Sequence, residues 1–182
     1  MNAERPLALV TNDDGIDSNF LRVLIEETSS LFEVWVCAPD QEKSWIGHAI
    51  SRHQKLKPVA RDKDFDCHAY SLNGTPADCV NLAIGNLLPR KPDLVISGIN
   101  LGYNVTLPMI LSSGTVGAAL EGSLLGVPAF ASSMALPEES SLARCAASKT
   151  RSNLFDTLSM QSSTVILAID FSFIVLLSYG FY

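Results

Sequence analysis

The run Thr11-Asn12-Asp13-Asp14-Gly15 sets two adjacent carboxylates directly behind the apolar stretch Leu7-Ala8-Leu9-Val10. Carboxylates at a strand end are held rigidly, and oxygen ligands of that kind suit a hard cation such as Mg²⁺ or Mn²⁺, ions that commonly serve phosphate chemistry. Gly15 lets the backbone turn sharply behind them. Taken alone, the same residues also read as an Asp-Gly turn with a solvated acidic pair. A second polar group, Ser113-Gly114-Thr115, opens a helical segment running to Leu125. Free backbone N–H groups and the helix dipole favour a phosphate there, and the hydroxyls add donors. The plainer account is an N-cap by Ser113, with Gly117, Ala118 and Ala119 allowing close packing. Asn100 offers a neutral oxygen to a cation or an amide to a phosphate, or else only shapes its own turn. Ser44 adds a loop hydroxyl.

The elements that must position these groups follow from periodicity. Leu7–Thr11 reads as a short buried strand, residues 17–29 as an amphipathic helix, and Val34–Ala38 as a second strand stopped by Pro39. Residues 40–48 form a loop, and residues 50–72 make a small antiparallel excursion. Thr75 as N-cap, Pro76 in the first turn and Asp78 at the positive end of the dipole start a second helix, whose apolar face reaches Leu88. Asp93–Ser97 is a third strand, followed by a long loop to Ser112, and Pro128–Ala131 a fourth. Strands alternating with helices predict a three-layer, Rossmann-like α/β sandwich around a mostly parallel sheet. Ligands of such sheets bind beyond the carboxyl ends of the strands, near the switch point. Asp13 and Asp14, Ser44, Asn100 and Asn104 all fall at those ends, which lifts the acidic pair above a surface turn.

The chain has 182 residues, 47% hydrophobic and 18% charged, enough for one domain with a substantial core. Its 13 basic and 19 acidic residues give a net charge of −6, which argues against a nucleic-acid or anionic-membrane partner. The cysteines, Cys37, Cys67, Cys79 and Cys145, show no short paired spacing and read as buried free thiols in a reducing compartment. The N-terminus has no long apolar region, so a cytoplasmic location is expected. No Walker loop, dinucleotide fingerprint or Gly-x-Ser-x-Gly elbow is present. His48 shares a loop with Ser44 and either reaches the site as a proton carrier or is an exposed loop histidine.

Five pieces in order carry a resemblance across residues 7–133. They are Asn12-Asp13-Asp14-Gly15, Ala38-Pro39-Asp40 leading to Ser44, Gly74-Thr75-Pro76-Ala77-Asp78-Cys79-Val80, Pro92–Asn100, and Ser113-Gly114-Thr115-Val116. In these the chain resembles the SurE family, stationary-phase survival proteins that act as metal-dependent 5′/3′-nucleotidases. The resemblance implies one divalent cation per subunit, Mg²⁺ or Mn²⁺, held by Asp13, Asp14, Ser44 and Asn100. It implies a phosphate pocket lined by Asn100, Asn104, Ser113, Gly114 and Thr115, with Asp13, Asp14, Ser113 and Thr115 as the catalytic set. The implied activity is hydrolysis of nucleoside monophosphates through a metal-bound water, by a dimer or tetramer. The alternative is a non-catalytic metal- and nucleotide-binding relative that has lost a C-terminal oligomerisation arm.

Two departures from the family pattern stand out. The loop 105–112 is unusually apolar, and residues 137–182 do not match the family's C-terminal part. Residues 1–136 are therefore expected to form the nucleotidase core, and 137–182 a truncated or divergent segment. Its apolar end, Thr164–Tyr182, approaches the ~20 residues that span a bilayer, but Asp170 and Ser172 interrupt it. The β-branched content suits one or two strands extending the sheet. A membrane anchor and an aberrant, unfolded tail are the other two readings.

Overall fold

A computed structural model describes residues 5–135, 163–170 and 173–179. The apolar run Leu7–Thr11 is the central strand β1, followed by helix α1 (Asn19–Thr28) and strand β2 (Glu33–Pro39). Strands β3 (Pro58–Ala60) and β4 (His68–Leu72) precede α2 (Pro76–Leu82), which continues into a π-helical turn over Ala83–Leu87. Then come β5 (Leu94–Leu101), α3 (Leu107–Ser112), α4 (Gly114–Leu124) and β6 (Ala129–Ala135). Two further strands, β7 (Ser163–Asp170) and β8 (Phe173–Tyr179), complete the described residues.

All eight strands share one sheet in the order β3-β4-β2-β1-β5-β6-β7-β8. The five central strands, β4 to β6, are mutually parallel, while β3, β7 and β8 pair antiparallel at the two margins. Alternation along β1 divides the core. Leu9 packs with Cys37, Leu72, Val95 and the faces of α2 and α4, whereas Ala8 and Val10 pack with Leu21, Ile25, Val34 and Ile96 on the α1 side. Burial on both faces is what makes these strands continuous apolar runs. The chain leaves β1 for β2 on one side and later returns to β5 on the other, so the order reverses between β1 and β5. The crevice of an open parallel sheet lies at that reversal.

Several expectations are refined. The third strand extends to Leu101 rather than ending at Ser97. The loop expected to reach Ser112 contains α3, with Pro108 in its first turn, where a missing N–H costs nothing. The excursion over 50–72 is antiparallel only between β3 and β4; β4 itself runs parallel to β2. The apolar end forms two antiparallel strands that continue the sheet, and no helix among the described residues is long and apolar enough to cross a membrane. Cys37 and Cys79 are buried free thiols and Cys67 is half-buried. Cys145 and the rest of 137–162 lie outside the described residues.

Candidate functional site

The turn after β1 is built by Asn12. Its fully buried carboxamide donates to the Gly15 carbonyl at 2.9 Å and accepts from the Gly15 N–H at 3.2 Å, while Gly15 sits at φ +96°. This closed ring holds Asp13 and Asp14 between its ends. Asp13 is 3% exposed, and its Oδ1 accepts the Thr115 hydroxyl at 2.7 Å. Asp14 accepts a long contact, 3.4 Å, from the Leu101 N–H at the end of β5.

Neither carboxylate has a basic partner among the described ion pairs. Burial therefore raises the Asp13 carboxyl above its ordinary value, with the Thr115 hydroxyl opposing in part. Burial, then the neighbouring Asp13 charge, pushes Asp14 up to about 7. Glu42 adds repulsion to both.

Helix α4 aims its first turn at this pair. A side chain at residue 114 would put its Cβ 2.9 Å from that of Asp13, so only glycine allows the approach. Ser113 is the N-cap, its hydroxyl accepting the Val116 N–H at 3.3 Å, as the capping account expected. A hydroxyl that accepts there still has its own hydrogen to donate. The first turn carries no acidic side chain of its own, and the Asp13 carboxylate, which the Thr115 N–H also meets, faces the dipole instead.

The loop bearing Ser44 is fixed by backbone bonds, Lys43 N–H to the Asp13 carbonyl and Gly47 N–H to the Ser112 carbonyl, both 2.8 Å. Gly117 lets that loop lie on α4: a Cβ there would meet the Gly47 carbonyl oxygen at 2.4 Å. On β5, the pairing with β6 slips between Ser97 and Asn100, an irregularity that re-aims the strand where Asn100 stands.

One cleft collects the result. Asp13, Ser44, Asn100, Asn104 and Ser113 line it, together with Trp45, Tyr103 and Met109. Asp14, Gly114 and Thr115 are not among its walls: Asp14 lies against Leu101, and Gly114 and Thr115 stand behind Asp13. Thr115 directs its hydroxyl to the carboxylate rather than into the cleft. Asn104 donates to Ser133 Oγ at 2.6 Å, and the exposed Ser44 hydroxyl is turned to Glu42. His48 is a half-buried loop residue. It is neither exposed nor in the cleft wall, because Nε2 meets the buried Glu121 at 2.7 Å, and Asn81 holds the other oxygen of that carboxylate.

A hard cation fits the donor chemistry here, which is all oxygen: two carboxylates without a counter-charge, the Asn100 carboxamide and the Ser44 hydroxyl. Among the described residues no three of His, Cys, Asp and Glu converge to hold a metal, so neutral oxygens would complete the set. Two more oxygens stand nearby without partners. Thr11 and Ser97 pair in register across β1 and β5, both wholly buried, with unbonded hydroxyls. Glu42 and Trp45 were not singled out in the sequence; nothing in a polar loop marks which residues will face a strand end two elements away.

A family model described as "Survival protein SurE" matches residues 8–173. The chain is 48% identical over 126 residues to "5′-nucleotidase SurE" of Citrifermentans bemidjiense, covering 69% of this chain and 49% of that protein. It is 47% identical over 141 residues to the protein of the same name from Desulforudis audaxviator, covering 76% and 54%. The chain thus spans about half the length of the curated relatives it matches. The crystal structure of SurE protein from Aquifex aeolicus superposes with a TM-score of 0.63 at 33% identity, over 72% of this chain and 66% of that one.

Proposed function

The chain belongs to the SurE family, and we propose that it is a divalent-cation-dependent phosphomonoesterase that hydrolyses nucleoside monophosphates. The observation that carries the reading is the convergence of Asp13, Asn100, Asn104 and the Ser113-capped N-terminus of α4 at the sheet's switch point. The names of the relatives, 5′-nucleotidase SurE, supply the reaction.

In this reading Asp13 and Asp14 hold one Mg²⁺ or Mn²⁺, with Asn100 and Ser44 as neutral ligands. Such an ion supplies a Lewis acid that polarises the phosphoryl group and makes water a nucleophile near neutral pH. Thr115 keeps Asp13 oriented through its hydroxyl. Ser113 donates its free hydrogen to a phosphoryl oxygen, and the dipole of α4 favours the charge that grows as water attacks in line. Asn104 borders the phosphate and is steadied by Ser133. His48, engaged with Glu121, braces the Ser44 loop on α4 and takes no proton in the reaction. Assembly as a dimer or tetramer and action in the cytoplasm complete the proposal.

Release of inorganic phosphate from a panel of nucleoside monophosphates, with Mn²⁺, with Mg²⁺ and with chelator, tests it. Cation-dependent release is expected. A folded protein that binds cation and nucleotide but releases nothing would make it a binding protein instead.

A further inference from the structure

The cleft that gathers the polar groups measures about 110 Å³, whereas pockets that enclose a whole organic ligand run to roughly 300 Å³ or more. A phosphate with its cation suits that space; a nucleoside does not. The remainder of a nucleotide must then lie over the rim, and the rim is aromatic. Trp45 and Tyr103 border the cleft, one from the loop after β2 and one from the loop after β5. Both rings face water, at 75% and 58% exposure. Large aromatic side chains left this open beside a polar cleft mark a binding surface rather than core.

The backbone supports the same conclusion. Trp45 stands at φ +60°, the one non-glycine residue with a positive φ among the described residues. That conformation disfavours a bulky side chain and concentrates at functional sites. Here it is imposed by the two backbone bonds at Lys43 and Gly47, which hold Trp45 out at the cleft mouth.

We infer that Trp45, with Tyr103 bordering the same cleft, is the platform on which the base of a nucleoside monophosphate stacks while its phosphate enters the cleft. Resting on the phosphomonoesterase reading, this assigns two residues of the chain to the base of the substrate. Every base offers a π-face, so the platform selects bases over non-aromatic alcohols more strongly than one base over another.

The test compares AMP with ribose 5-phosphate, which keeps the sugar and phosphate and lacks the base. In Trp45→Ala, the preference of kcat/KM for AMP over ribose 5-phosphate should fall about tenfold to a hundredfold, through KM. Trp45→Phe, which keeps a ring, should retain most of the preference. Equal changes for both esters, or none, overturn the inference. Should the wild-type protein release phosphate from neither ester, the phosphatase reading has failed and the platform is judged by binding. The chain's other tryptophan, Trp35, packs its ring against His68 in β4, and Trp35→Phe leaves Trp45 as the single indole reporter. With Mg²⁺ present, AMP should quench its emission where equal ribose 5-phosphate does not; identical responses overturn the inference.

Discussion

Helices α2 and α4 begin with nearly the same grammar, a hydroxyl residue before a small or proline-bearing first turn, and end in opposite chemistry. At α2 the terminus is closed on itself. Thr75 accepts the Asp78 N–H, Asp78 accepts the Thr75 N–H at 2.8 Å, and its second oxygen takes the Ser51 N–H at 2.9 Å. A capping box with an acid in the first turn occupies the cap donors and answers the dipole. At α4, Ser113 satisfies one N–H, no acid follows, and Gly114 brings the turn against Asp13. A hydroxyl cap therefore does not define an anion site; what matters is whether the next three residues consume the field it leaves.

The strongest way to break this contrast is at the carboxylate that α4 faces. Asp13→Asn, nearly constant in shape, should abolish phosphate release without lowering the melting temperature, because it removes a buried charge with no basic partner. An unchanged rate would take the acidic pair out of the reaction. Next, the caps can be exchanged in role. Ser113→Ala should cut kcat/KM on the order of a hundredfold, as loss of a donor to developing charge does. Thr75→Ala should instead cost about 1 kcal/mol of stability by urea titration and leave kcat/KM alone. Equal kinetic losses would erase the distinction.

A third test uses acidity. A carboxyl raised in the folded state favours folding while protonated, so this contribution is fully present below its ordinary 3.8 and is lost as pH rises toward about 7. Chelated protein should therefore lose stability between those values, and Mn²⁺ should raise the melting temperature more at pH 8 than at pH 5. The smallest effect belongs to Asp93, at the opposite end of β5. The Leu7 N–H, then Arg90, hold its carboxyl below the ordinary range. Its contribution is present above that range and fades as pH falls, so Asp93→Asn should slightly flatten the acid limb of stability and leave the site untouched.

What could be read from the chain was local. The α2 start is legible because Thr75, Pro76 and Asp78 meet within four residues, and the sheet is legible because both faces of Leu7–Val10 are apolar. Asp13 follows β1 as the topology expects, whereas Asn100, expected just past the third strand, lies within the last residues of β5. The bond from Thr115 to Asp13 spans 102 residues and that from His48 to Glu121 spans 73; packing chooses such partners, and no spacing announces them. The slip on β5 and the left-handed Trp45 are likewise imposed by neighbours rather than by propensity.

The two backbone bonds at Lys43 and Gly47 have a consequence for how this site can change over generations. Since main-chain bonds pin both ends of the segment, the side chains of Trp45 and Ile46, which hold no ligand, are an exchangeable insert in a fixed mount. Replacing them alters what the cleft mouth accepts while strand, helix and carboxylates keep their places. New substrates are then reachable in single, survivable steps.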